Sequence, residues 1–381
     1  MTPEKNSNLA SMVPSHDHST LQQQFERFDV RTPQADVQEY LSRAYERSGL
    51  RRVLDLLWEW ESRVGYFNLE SLKQNRRYHY YDEDTAVTLR AQINFARNQY
   101  TPQPPASSNS RAVHCAICYD NLELPGKEKL RVFRFLLTEE SEYFVQVTPF
   151  PLFEKHFVVI TMDERPMQMS RQSLADLVRF VELAPGYVGC SNSDVEWAGA
   201  SILAHHHYQV FDQLDLPIMH ARFAASCYGQ TATLAFGLLD FPLACCKVTS
   251  TARAPMLQAC GNIIAAWKQL EPGKNTCNLV VVKEATHYCC YILFRHPAFR
   301  TAEELLAIKS EGVGVIEVAG EGIYPVPGGE HAEAIWRRLE HDGLNVIKGL
   351  LASNNPVPRK NFGELFELMT RAVQVATGMC S

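Results

Sequence analysis

The stretch "GASILAHHHYQVF" (residues 199–211) sets three consecutive histidines between an apolar run and the pair Tyr208-Gln209. If 202–211 is a strand, alternate residues share a face. His205, His207 and Gln209 then point one way, and His206, Tyr208 and Val210 the other. The motif is therefore His-x-His-x-Gln, with same-face residues roughly 7 Å apart. A neutral imidazole is a nucleophile near physiological pH, and a carboxamide can donate to a phosphoryl oxygen. His207 attacking phosphorus while Gln209 holds the phosphoryl oxygens is one reading. Gln cannot act as a general acid, so this reading suits a leaving group already stable as an anion. The competing readings are a half-exposed run of histidines and a metal site. Alternation weakens a catalytic metal site, which usually needs three protein ligands where this face offers two.

The 381-residue chain is 46% hydrophobic and 21% charged, the balance of a folded soluble protein. A net charge of -6 argues against a nucleic-acid surface, which needs a basic stripe. No apolar run approaches the ~18 residues of a membrane span. Residues 1–20 are small and polar without an apolar signal core, and read as a disordered lead-in. The eleven cysteines include adjacent pairs, Cys245-Cys246 and Cys289-Cys290, in strand-like stretches. Neighbouring strand residues face opposite ways, so these read as buried thiols, and the chain as cytoplasmic.

Residues 21–105 read as a helical N-terminal extension and a linker, "TPQPPASSNS" (101–110) being the linker. Short β segments follow in "KLRVFRFLL", "EYFVQVTPF" and "KHFVVITM". A helix is expected over 170–184, with Ser170 as N-cap. The second half repeats the mixture: strands in 231–250, a helix over 253–270 and a hairpin around 284–286. "GVGVIEVAGEGIYPV" (312–326) reads as a strand pair, and helices are expected near 330–352 and 361–377. The class is α+β, with a sheet-based half over 106–235 and another over 236–381. The sequence shows no internal repeat.

Residues 147–211 resemble the galactose-1-phosphate uridylyltransferases, particularly their Gram-positive branch. The matching residues are Glu154–His156, Pro166-Met167, Gly189–Asp194 and Gly199–Gln209. Weaker echoes are "HCAICYDN" (114–121) and "GVGVIEVAGEGIYP" (312–325). The resemblance implies two histidine-triad-like halves, with half-barrel sheets packed on helices. It also implies ping-pong transfer of UMP from UDP-glucose to a hexose 1-phosphate in galactose metabolism. His207 would carry the uridylyl group, Gln209 would hold phosphoryl oxygens, and His205 would be a structural or metal-binding partner. Asn192, Gly199 and Ser201 would contact the nucleotide. Arg131 and Arg134 could pair with sugar-phosphate charge, or be surface arginines on an edge strand.

Cys115, Cys118 and His205 fit part of a tetrahedral zinc site, and the family's histidine before the Pro-Met step is Glu164 here. The candidate set is Cys115, Cys118, Glu164 and His205; His114, His156 or no metal are alternatives. No organic cofactor is expected. The sequence after Gln209 departs from the family and leaves the acceptor open. Rival readings are a sugar-nucleotide or dinucleoside polyphosphate phosphorylase using the same histidine, and a non-catalytic nucleotide-binding relative. The N-terminal helices either pack on the sheet or form a homodimer surface. Trp197 reads as a core residue under the glycine turn, with stacking on a base as the alternative.

Overall fold

Along Phe133–Thr138, Phe133, Phe135 and Leu137 are buried while Arg134, Leu136 and Thr138 are not, and this alternation is what lets one sheet face carry a core. The computed structural model describes residues 25–97, 115, 117–122, 126–199, 202–309, 312–325 and 330–377. Its chain order begins with helix α1 (Gln34–Arg63), a short α2 (Leu69–Lys73) and a hairpin of β1 (Arg76–Asp82) and β2 (Val87–Asn94). Next come β3 (Phe133–Thr138), β4 (Ser141–Val147), β5 (His156–Thr161), α3 (Arg171–Leu183), β6 (Tyr187–Ser191) and β7 (His207–Asp212). The second half supplies β8 (Phe223–Gln230), β9 (Leu234–Leu239), β10 (Cys245–Ser250), α4 (Arg253–Leu270), β11 (Thr276–Glu284) and β12 (His287–Arg295). The chain continues with α5 (Val315–Val318), β13 (Glu321–Pro325), α6 (Glu330–Ser353) and α7 (Phe362–Thr377).

Ten strands form one sheet in the order β3-β4-β5-β7-β6-β11-β12-β10-β9-β8. Read inward from each edge, both halves show the same pattern: a three-strand meander, a helix, then a hairpin whose second strand inserts before its first. β7 and β12 are therefore counterparts, and the halves meet where β6 pairs with β11. The duplication is structural. At the β12 positions matching His207 and Gln209 stand Cys289 and Tyr291, by their register against β10 and that of β7 against β5. The repeat puts the join between Asp212 and Phe223, because β8 pairs at the outer edge of the second meander.

Helices α1, α3, α4 and α7 cover one sheet face and enclose the larger core, with Trp60, Leu177, Ile263 and Met369 within it. Ser170 caps α3 through a reciprocal pair with Ser173, worth about 1 kcal/mol. On the second half's opposite face, β2, β13 and α6 close a smaller core that takes in Cys289, Tyr291 and Leu293. The same face of the first half stays partly uncovered, and there the cavity lies.

Three local expectations differ from the structure. Residues 76–94 form a hairpin where helix was expected, because the Tyr-rich run of β1 pairs along its whole length with β2. Residues 315–318 make a helical turn, stabilised by the Glu317 carboxylate accepting from Gly314 N–H, so the described part, 312–325, holds one strand where a strand pair was expected over 312–326. The histidine strand begins at His207, leaving His205 and His206 just ahead of it. The ten described cysteines are free, and all but Cys118 are buried. Among the described residues no helix is long and apolar enough to cross a membrane.

Candidate active site

β7 runs between β5 and β6, so its side chains are held from both sides. Ile160 stands opposite His207, and Val158 opposite Gln209. Tyr208 and Val210 enter the helix-side core, while His207 and Gln209 face a cavity of about 300 Å³. Tyr208 donates its hydroxyl to the buried carboxylate of Asp176 at 3.1 Å, and Asp176 also accepts from Tyr143 and Gln172. This network anchors the strand from behind the site.

The three histidines have three different hydrogen-bonding states, each set by its partners. His205 Nε2 lies 2.8 Å from the carbonyl of Thr161; a carbonyl only accepts, so Nε2 carries the proton and Nδ1 presents its lone pair. That Nδ1 is 3.2 Å from both Cys115 Sγ and Cys118 Sγ. His206 accepts from Gln168 N–H at Nδ1 and donates from Nε2 to Tyr208. Burial drives its pKa down to about 3, so it is a neutral structural link. His207 donates from Nδ1 to the carbonyl of His205 at 2.7 Å, which leaves an unprotonated Nε2. Burial lowers the His207 pKa and so favours the neutral, nucleophilic form, although the bond to His205 opposes the shift.

Gln209 is oriented by His156. The Leu152 N–H donates to His156 Nδ1, so Nε2 holds the proton and donates to Gln209 Oε1 at 3.0 Å. The carboxamide nitrogen is then the end left for a ligand. Burial takes His156 down to about 3, only partly offset by the Gln209 bond, and its ring stacks on Phe211.

The other anticipated residues fall into distinct places. Asn192 and Gly199 line the cavity, and Asn192 Oδ1 accepts from Val315 N–H, tying the first half to α5. Gly199 has φ +91°, and a Cβ there would lie 2.5 Å from the Val313 carbonyl oxygen; this wall requires glycine. Ser201 and His114 lie outside the described residues. Arg131 is not a cavity residue: its guanidinium donates to the carbonyls of Val30, Thr32, Glu128 and Leu130 and fastens the segment before α1 to the sheet. Arg134 pairs with Glu142 and covers the Tyr119 ring, also away from the cavity. Trp197 is 61% exposed with φ +66° and packs under Arg300, so it is no core residue. Cavity residues not anticipated as ligand contacts include Arg97, Gln146, Thr148 and Glu317. Gln146 had a signal, as the one polar residue inside "YFVQV"; Arg97 follows β2 with none.

Cys115, Cys118 and His205 bring their ligand atoms within 4.8 Å of one another. The 3.2 Å sulfur–nitrogen distances compare with roughly 3.6 Å between such ligands on tetrahedral zinc, and the His205 tautomer is the ligating one. The donor set thus fits a thiophilic metal. Glu164 stands outside this trio but beside Cys118, whose thiol is pushed upward by burial first, then by Cys115 and Glu164.

A fold of two histidine-triad-like halves defines the class. The structure is similar to that of yeast Ap4A phosphorylase Apa2, with a TM-score of 0.53 over 80% of this chain and 94% of that one, at 13% identity. In sequence the chain is similar to galactose-1-phosphate uridylyltransferases. It is 22% identical to that of Halalkalibacterium halodurans over 74% of this chain and 61% of the relative. It is 27% identical to that of Bifidobacterium longum over 74% of this chain and 59% of the relative. The chain thus spans about three-fifths of the length of these relatives. Residues 59–212 match a family described as a domain of unknown function (DUF4922).

Proposed function

We propose that the protein is a nucleotidyltransferase that moves UMP from UDP-glucose to a hexose 1-phosphate such as galactose 1-phosphate, through a covalent intermediate on His207. The observation that carries this reading is the His207 ring, with Nδ1–H held by the His205 carbonyl and Nε2 unprotonated at a cavity that Gln209 also lines. In the first step His207 Nε2 bonds to the α-phosphorus and the bond to the bridging oxygen breaks. Glucose 1-phosphate leaves as an anion, so no general acid is needed. The positive charge on the ring is stabilised by the Nδ1–H bond to His205. The Gln209 amide donates to the phosphoryl oxygens as charge builds on them. In the second step a phosphate oxygen of the acceptor attacks, the N–P bond breaks and neutral His207 returns.

Cys115, Cys118 and His205 would hold a zinc ion, with Glu164 as the candidate fourth ligand. Such an ion supplies structural cross-linking, fixing the segment whose carbonyl orients His207. Asn192 and Gly199 would border the nucleotide. The reading is tested by incubating the protein with UDP-glucose, UDP-galactose, GDP-glucose or a dinucleoside polyphosphate, without acceptor. Intact mass measured away from acid should show one UMP adduct mapping to His207. An adduct of GMP or AMP alone would replace the uridylyltransferase by a phosphorylase-type enzyme. No adduct from folded protein would end the covalent proposal.

A further inference from the structure

Gln146 sits on β4 and lines the cavity, yet it is only 6% exposed, and among the described residues its Oε1 has no hydrogen-bond partner. A buried acceptor without a donor is uncommon and calls for an explanation. Its neighbours Val145 and Val147 enter the helix-side core, so alternation turns Gln146 to the cavity face. Gln146 pairs with Val158, and Val158 with Gln209, so the two glutamines lie in one row, two strands apart. At normal strand spacing that separation is about 10 Å. An extended nucleotide with its α-phosphate at Gln209 crosses the ribose before it reaches that distance, and presents the base edge there. Apolar Ile117 and Phe150 also line the cavity, as a base requires of its surroundings.

We infer that Gln146 reads the base edge of the nucleotide, its Oε1 accepting a ring or exocyclic N–H. This assignment rests on the nucleotide reading of the site, but not on covalent transfer. It identifies the chemistry that selects the donor: a base with an N–H on that edge, such as N3–H of uracil or the amino group of adenine.

The test is calorimetric binding of UMP and AMP to the wild-type protein. Each is compared with its base-methylated form (3-methyl-UMP; N6,N6-dimethyl-AMP) and its 2′-deoxy form. The preferred mononucleotide should lose about 10- to 100-fold in affinity on base methylation, and far less on loss of the 2′-hydroxyl. Gln146→Met, checked for an unchanged melting temperature, should bind the parent and base-methylated forms equally. The wild-type comparison stands even if that variant fails to fold. Equal wild-type affinity for parent and methylated forms overturns the assignment, as does a loss confined to the 2′-deoxy form. If neither mononucleotide binds and no donor gives a His207 adduct, the nucleotide reading itself falls and the assignment with it.

Discussion

His156 Nε2 donates to Gln209 Oε1 at 3.0 Å, across the pairing of β5 with β7, and so decides which end of Gln209 meets the cavity. Without that bond the carboxamide can turn over and present its oxygen to a phosphate, an arrangement of like polarity. His156→Leu should therefore slow formation of the His207 adduct by about 10- to 100-fold while the protein stays folded, the scale expected when a reacting group is misplaced. Single-turnover rates measure this. An unchanged rate would show that Gln209 holds its orientation by other means.

His207→Ala should abolish adduct formation and exchange between UDP-glucose and a hexose 1-phosphate. Gln209→Ala should retain the adduct but form it about 10²–10³-fold more slowly, as for loss of one oxyanion donor. Full exchange activity in His207→Ala would rule out this nucleophile.

Elemental analysis should find one zinc ion per chain, lost in Cys115→Ser. Chelation should lower the melting temperature of the wild type and leave Cys115→Ser unaffected, because the thiolates and His205 cross-link segments distant in the chain. A metal-free wild type with an unaltered melting temperature under chelation would contradict the site.

Stability should fall on mild acidification. His156 has a folded pKa lowered to about 3, against an ordinary value of 6.5, so the unfolded chain takes up a proton first as the pH drops. Its contribution is complete above about pH 6.5 and is lost progressively toward pH 3. Between pH 7 and 5 this one group accounts for about 2 kcal/mol. Urea unfolding of wild type and His156→Leu at both pH values should show a smaller pH effect in the variant. Equal effects would mean that His156 titrates normally in the folded state.

Gly199→Ala should destabilise the protein by about 1–3 kcal/mol, because φ is +91° and the new Cβ would meet the Val313 carbonyl. The cavity wall should move with it, so weaker binding of UMP is expected alongside the lower unfolding midpoint. A wild-type midpoint would show that this turn relaxes freely.

Much of the scaffold was legible in consecutive residues. The helix over 253–270, the hairpin around 284–286, the Ser170 cap and the buried cysteine pairs follow from periodicity and capping chemistry. The shared face of His207 and Gln209 follows from strand alternation alone. Arg131 and Trp197 were harder to read. An arginine beside a β segment looks the same whether it meets a phosphate or four backbone carbonyls. A tryptophan near a glycine turn does not reveal that its backbone turns it outward.

The sequence by itself determined the α+β class and the two faces of the strand from His207, with His207 and Gln209 on one and Tyr208 and Val210 on the other, because side-chain periodicity depends only on neighbours along the chain. The tertiary structure alone decided how those residues are poised. Cys115 meets His205 across 90 positions, and His156 meets Gln209 across 53. The histidine tautomers, the direction of the Gln209 amide and the Gln146 oxygen that has no partner among the described residues all depend on which donors and acceptors folding brings into contact. Hydrogen-bond partners and desolvation are properties of surroundings in space, and the linear order of residues does not contain them.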